Sequence, residues 1–245
     1  MWTALNSAVI GGIQTKLGYS VTLLALVLLF IGLLSNCALA TPVFVDTFDD
    51  GILDPGYWST IIDGTGPSIA ETNGRLELTI PATSTSSNDV LAAECRTTFL
   101  LRGDFDFQAD YLLLDWPHID SKCSLSTVFD GVERIYLNGD KYLMHHDPYH
   151  PISTTQMSGK MRLSRSNGLM TGYYYSGGLW TVIGQYTSFE DTPIRLSTWI
   201  YESTFQHQQI RVAFDNLTIN SGTIIPVPEP SSLLALGGII RKKHG

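Results

Sequence analysis

The sequence predicts an all-β domain, a β-sandwich of two antiparallel sheets, and three observations predict it. Between residues 41 and 223 no long stretch repeats its apolar residues at i, i+3 and i+4, as an amphipathic helix would. Apolar and polar residues alternate instead, the two-residue period of a strand with one buried and one wet face. The alternating segments are short and divided by Gly, Asn and Asp, which favours one sandwich or barrel over several small domains.

In chain order, "GRLELTI" points Leu76, Leu78 and Ile80 inward. The polar, Ser/Thr-rich "PATSTSSND" that follows reads as a surface loop. In "GDFDFQADYLLLDW" the residues Phe105, Phe107, Ala109, Tyr111 and Leu113 share one face, with Asp104, Asp106, Gln108 and Asp110 on the other. "GLMTGYYYSGGLWTVIGQY" holds two β-rich runs joined at Ser176-Gly177-Gly178, a hairpin. The last strand, "QIRVAFDNLTINSG", changes phase: Ile210, Val212 and Phe214 share a face, but Leu217 and Ile219 are off by one. A bulge at Asp215-Asn216 restores both halves to the core; a bend between sheets, or the end of the strand, is the other reading.

The ends differ from this middle. Lys16, an apolar run over 21–34 and the small-x-small site Ala38-Leu39-Ala40 make residues 1–40 a secretory signal peptide, with a mature chain from Thr41. An uncleaved membrane helix, or lipidation at Cys37, are the alternatives. Residues 41–223 form the domain and 224–245 a tail. The domain carries 22 acidic and 11 basic side chains, a balance of −11 against −8 for the whole chain. An acidic body without a basic patch repels phosphate backbones, so nucleic acid is not an expected partner. Cys95 and Cys123 remain after export, and two readings stand: one disulfide or two buried free thiols.

"DTFDDGILDPGYW", "NGRLEL", "GDFDFQADY", "MRLSRSNGLMTGYYYSGGLW" and "RVAFDNLTINSG", in this order, resemble the concanavalin A-like, laminin-G-type jelly rolls of bacterial exported proteins. The stretch "TVFDGVERIYLNGDKYLMHHDPYHPIS" departs from that pattern, being longer and more irregular. The resemblance implies a structural calcium where first and last strands meet, with Asp215 as side-chain ligand and backbone oxygens near Asp46 and Gly74. An Asx turn at Asp215-Asn216 is the alternative.

Retaining glycosidases of this architecture carry Glu-x-Asp-x-x-Glu on one strand, and no such string occurs here. The nearest spacing, Asp104, Asp106 and Asp110, reads as a wet strand face. His145, His146 and His150 are zinc-type ligands, but neighbours on a strand point apart, so they read as a surface loop. Arg102-Gly103-Asp104 reads as a turn into a strand, and the sequon at Asn216 matters only in a glycosylating host. Trp116, Tyr149 and Trp180 are candidate sugar-stacking aromatics, with core or hairpin packing as the alternative.

The tail holds Val227-Pro228-Glu229-Pro230, an apolar segment over 233–240, and Arg241-Lys242-Lys243. Proline keeps such a segment extended and readable, and basic residues after an apolar run stay cytoplasmic. The tail resembles the PEP-CTERM sorting signal, which implies an exosortase-type enzyme as partner, transient membrane contact, and delivery to the envelope or extracellular matrix. Its apolar segment is shorter than the roughly 20 residues that span a bilayer; a disordered tail is the other reading. The leading expectation is a non-enzymatic module of the exopolysaccharide matrix that binds polysaccharide. The alternatives are a glycoside hydrolase working through Asp104 or Asp106, or a purely structural surface protein.

Overall fold

The alternation read in the sequence becomes fifteen strands among the residues described by the computed structural model, 41–227 apart from Phe129 and the side chains of 147–149. They are β1 (Phe44–Asp46), β2 (Trp58–Asp63), β3 (Ser68–Thr72), β4 (Arg75–Ile80), β5 (Val90–Thr97) and β6 (Phe99–Asp115), then β7 (Lys122–Ser126), β8 (Gly131–Tyr136), β9 (Asp140–Met144) and β10 (Asp147–Ser153), and finally β11 (Ser158–Ser166), β12 (Leu169–Ser176), β13 (Leu179–Thr187), β14 (Arg195–Tyr201) and β15 (Ile210–Pro226). The one helical element described is a 3-10 turn at Glu202–Thr204. The signal site with Cys37, Ala38 and Ala40, and the tail with Pro228, Glu229, Pro230, Arg241, Lys242 and Lys243, lie outside the described residues, as does the Tyr149 side chain; Val227 is the last residue described.

Two antiparallel sheets form the sandwich. One runs β13-β12-β11-β6-β15-β4-β3, with β1 also paired to β15; the other runs β10-β9-β8-β7-β14-β5-β2. Phe105, Phe107, Ala109, Tyr111 and Leu113 of β6 and Leu76, Leu78 and Ile80 of β4 are all buried, as the alternation predicts. They meet Leu91, Ala93, Leu125, Val132, Leu196 and Ile200 of the other sheet in one core. Each such Leu, Ile or Phe contributes about 1.5–3 kcal/mol on burial. The hairpin falls at Gly177-Gly178, between β12 and β13.

The phase slip in β15 is a bulge. Its pairing with β6 shifts register between Asp215 and Thr218, Asn216 sits at φ 50, and Ile210, Val212, Phe214, Leu217 and Ile219 are all buried. The strand continues to Pro226, past the boundary read at 223.

The disulfide reading is corrected: Cys95 and Cys123 are free and buried. Cys95 on β5 faces Leu196 of β14, and Cys123 on β7 faces Thr198 of β14, so a whole strand lies between them. Two strand spacings are roughly 9.5 Å, beyond the ~7 Å between Cα atoms that a disulfide spans.

One inward-facing charge orients the site. On β8, Val132 and Arg134 point into the sandwich and both are fully buried. The Arg134 guanidinium donates to Tyr111 Oη at 3.2 Å and to the carbonyls of Gln156 and Lys141, and it pairs with Asp140 at 3.5 Å. A buried cation persists only when partnered in this way. The alternation that buries Arg134 turns Glu133 to the opposite face.

Candidate functional site

With their apolar residues committed to the core, β5, β7, β8 and β14 place the alternate residues on the outer face of their sheet. One row crosses it: Glu133 lies opposite Ser124, Ser124 opposite Ser197, Ser197 opposite Glu94, and Glu94 opposite Ile61. All five line a cleft of about 460 Å³ together with Trp199, Asp63, Asp130, Arg195 and the histidines 145 and 146. That volume suits a ligand site, for which roughly 300–1,000 Å³ is usual.

Glu94 and Glu133 stand three strand spacings apart, roughly 14 Å between backbones. Each leans inward. Glu133 Oε1 accepts from Ser124 Oγ of β7 at 3.0 Å, and Glu94 reaches toward β14, where Arg195 pairs with it. Arg96 holds its other oxygen at 2.7 Å.

A second carboxylate stands beside Glu133. Gly131 starts β8 so close to β7 that a Cβ there would lie 2.2 Å from Ser126 Cβ, so glycine is required. Its N–H donates to Asp130 Oδ1 at 2.7 Å, as does His146 N–H at 3.3 Å. Burial pushes the Asp130 carboxyl above the usual range, against those two donors and the neighbouring imidazoles. His146 Nδ1 lies 3.6 Å from Asp130 Oδ2, and its ring stacks on Tyr186, centroids 4.4 Å apart. His145 Nδ1 lies 3.6 Å from Glu133 Oε1, and that carboxylate raises the imidazole's pKa although desolvation opposes it. Farther along the floor, Lys122 Nζ sits 4.0 Å above the Trp199 ring, which meets Tyr201 edge-on at 5.4 Å.

Several residues singled out in the sequence lie elsewhere. Asp104, Asp106 and Asp110 line the outer face of the other sheet and are engaged there: Asp106 by Arg162 and Asn220, Asp110 by Lys160 and Asn216, and Asp104 by Asn167 N–H. Arg102-Gly103-Asp104 is inside β6, with Gly103 at φ 66. Trp116 is buried, its Nε1 donating to Asp140, and Trp180 packs on Tyr175 in the β12–β13 hairpin. His145 and His146 occupy the β9–β10 turn, which frees them from strand alternation and turns both toward the cleft, ring centroids 5.3 Å apart. Glu94, Asp130, Glu133 and Trp199 escaped sequence reasoning: Glu94, Glu133 and Trp199 show only as members of separate strands, and Asp130 only as a turn residue before β8.

At the junction of first and last strands, Asp46 faces Leu217. Its carboxylate oxygens accept from Phe48 N–H and Trp58 Nε1–H at 2.9 and 2.7 Å. Asp215 Oδ1 accepts from Asn216 N–H at 2.7 Å, and Gly74 occupies the β3–β4 turn at φ 67. Among the described residues no group of three or more His, Cys, Asp or Glu side chains is arranged to hold a metal.

No protein-family model and no curated protein matches the chain. Its fold is similar to that of several solved structures. A prokaryotic β-1,3-1,4-glucanase (lichenase) from a mouse hindgut metagenome has 14% identity and TM-score 0.51, covering 72% of this chain and 97% of its own. LamAcat from Zobellia galactanivorans has 13% identity and TM-score 0.52, covering 74% and 98%. An immunostimulatory antigen and pseudo β-1,3-glucanase of Mycobacterium tuberculosis has 12% identity and TM-score 0.54, covering 74% and 99%. Identities this low show the fold alone, and the two-sheet jelly roll is that fold. The expectation of a non-enzymatic module is corrected: solved structures of this fold include a lichenase, a β-glucanase and a glycosyl hydrolase family protein, which favours the hydrolase alternative.

Proposed function

We propose that the protein is a glycoside hydrolase that cleaves a β-glucan-type polysaccharide in the cleft of the seven-stranded sheet. The observation that carries this reading is the pair Glu94 and Glu133, set on β5 and β8 in one row of the cleft with Ser197 and Ser124 between them. Trp199 offers a ring face on which a sugar stacks. Glu94, paired with Arg96 and Arg195 at the rim of the row, is the group assigned to take the proton of an attacking water. The set departs from the single-strand Glu-x-Asp-x-x-Glu pattern, since the outward positions of β8 are Gly131, Glu133 and Ile135. The carboxylates come instead from different strands.

Reducing-sugar release from mixed-linkage β-1,3-1,4-glucan and from β-1,3-glucan tests the reading. Removing an acid or base costs about 100-fold or more, so Glu94→Gln is expected to lower kcat by about that factor, and Glu133→Gln to lower it too. No release by the unaltered protein, or full activity in Glu94→Gln, overturns it.

Export belongs to the same proposal: residues 1–40 removed as a signal peptide, and the tail read at Val227-Pro228-Glu229-Pro230 by an exosortase-type enzyme for delivery to envelope or matrix. Intact mass of the protein from host fractions tests this, the expected species starting at Thr41 and ending near Pro230. A structural calcium at the β1–β15 junction would draw on Asp215 and on carbonyls near Asp46 and Gly74. It predicts a thermal midpoint that falls on chelation.

A further inference from the structure

The pairing of carboxylates with imidazoles points to which group meets the substrate, an inference that rests on the hydrolase reading. Glu133 lies at the bottom of the cleft, its side chain 6% exposed, while that of His145 above it is 53% exposed. The arrangement repeats alongside, where Asp130 is fully covered and His146 is 41% exposed. A polysaccharide lying in the cleft therefore touches imidazoles first. The two histidines are not equivalent: His146 is stacked on Tyr186 and faces Asp130, whose other oxygen holds the turn. His145 carries no such stack.

We propose that His145 is the catalytic proton donor of the cleft, with Glu133 behind it as a positioning residue. Nδ1 of His145 faces Glu133, which leaves Nε2 for the glycosidic oxygen. The charged groups around the imidazole are Glu133 from β8, Asp130 from the preceding turn and Lys122 from β7, with His146 adjacent. The two carboxylates favour the imidazolium and Lys122 opposes it, so the ring holds its proton to a higher pH than a free histidine. In the step itself, the bond from the anomeric carbon to the glycosidic oxygen breaks with its electron pair going to oxygen, which takes the Nε2 proton of His145. A water oxygen bonds to the anomeric carbon and its proton passes to Glu94. His145 ends neutral and Glu94 protonated, and exchange with solvent restores both. A single displacement of this kind inverts the anomeric centre.

The test uses the mature protein on mixed-linkage β-glucan, with kcat followed from pH 5 to 9 and the first-formed anomer read by proton NMR. Inversion, and an alkaline limb set by loss of the His145 proton, are expected. His145→Gln is expected to lower kcat by about 100-fold or more. Glu133→Gln keeps the imidazole but removes its partner, and is expected to move the alkaline limb to lower pH; a merely structural Glu133 would leave that limb in place. Histidine NMR titration supplies a readout apart from turnover: the His145 pKa is expected above its ordinary value and lower in Glu133→Gln. Hydrolysis that survives His145→Gln with an unchanged pH profile overturns this assignment while leaving the hydrolase reading intact. Absence of hydrolysis in the unaltered protein ends both.

Discussion

Side-chain direction at two adjacent positions, Glu133 and Arg134, determines the character of β8. Arg134 enters the sandwich and finds Tyr111, Asp140 and two carbonyls, while Glu133 faces the cleft. The sequence "GVERIY" alternates throughout, but its inward member is charged, so an apolar-in rule alone assigns the wrong face to the strand. The cysteines show the same limit. Both were legible as buried residues, but their separation was not. Burial pushes both thiols well above the usual range, and a thiol is unreactive while protonated. The chain from Thr41 is therefore expected to resist a thiol-specific reagent when native and to take up two equivalents in ~6 M guanidinium, as absorbance would show. Rapid native labelling would contradict the packing of β5 and β7.

Elements whose period is unambiguous were readable from the sequence, including the break in one of them. β15 serves both halves of its face only because Asn216 takes a left-handed conformation and absorbs the extra residue. Asn216→Gly is expected to change stability by only a few tenths of a kcal/mol, whereas Asn216→Val, β-branched at positive φ, is expected to cost about 1–2 kcal/mol. Urea unfolding of the two variants decides this, and equal stability would mean the bulge relaxes at no cost. The β7–β8 connection was less legible. The close approach of Ser126 requires glycine at 131, and the N–H groups of Gly131 and His146 hold Asp130 Oδ1, neither of which shows in the local sequence. His145 and His146 form a turn, whereas His150, read with them as a surface loop, lies in β10; the turn's direction is set by what it packs on, here Tyr186 of β13.

At the scale of the molecule, titration of the cleft feeds back on stability. The folded pKa of His145 is raised above its ordinary 6.5, so its contribution is fully present below that pH and is lost as pH rises through the folded value. Asp130, raised from 3.8 by burial, acts in the same direction at lower pH. Glu77, lowered by Asn73 and Arg75 against desolvation, acts oppositely: its contribution is present above 4.5 and is lost as pH falls through the folded value. The stability difference between the unaltered protein and His145→Gln is therefore expected to be larger at pH 5.5 than at pH 8.5. Denaturant midpoints at the two pH values measure it, and a difference independent of pH would remove the Glu133–His145 coupling. The magnitude is small, because the imidazole is half exposed and screened by solvent.

By itself the sequence determined the all-β class, the buried face of β4, β6 and β15, the hairpin at Gly177-Gly178 and the phase slip at Asp215-Asn216. Each is a local consequence of a two-residue period and of glycine and asparagine backbone freedom. Only the tertiary structure decided the strand order β8-β7-β14-β5, and with it the cleft. The search for two carboxylates on one strand missed Glu94 and Glu133, which lie 39 positions apart in the chain and share a row only through β7 and β14. Pairing between distant strands depends on which sheets can bury their apolar faces together, a property of the whole chain that no local window contains.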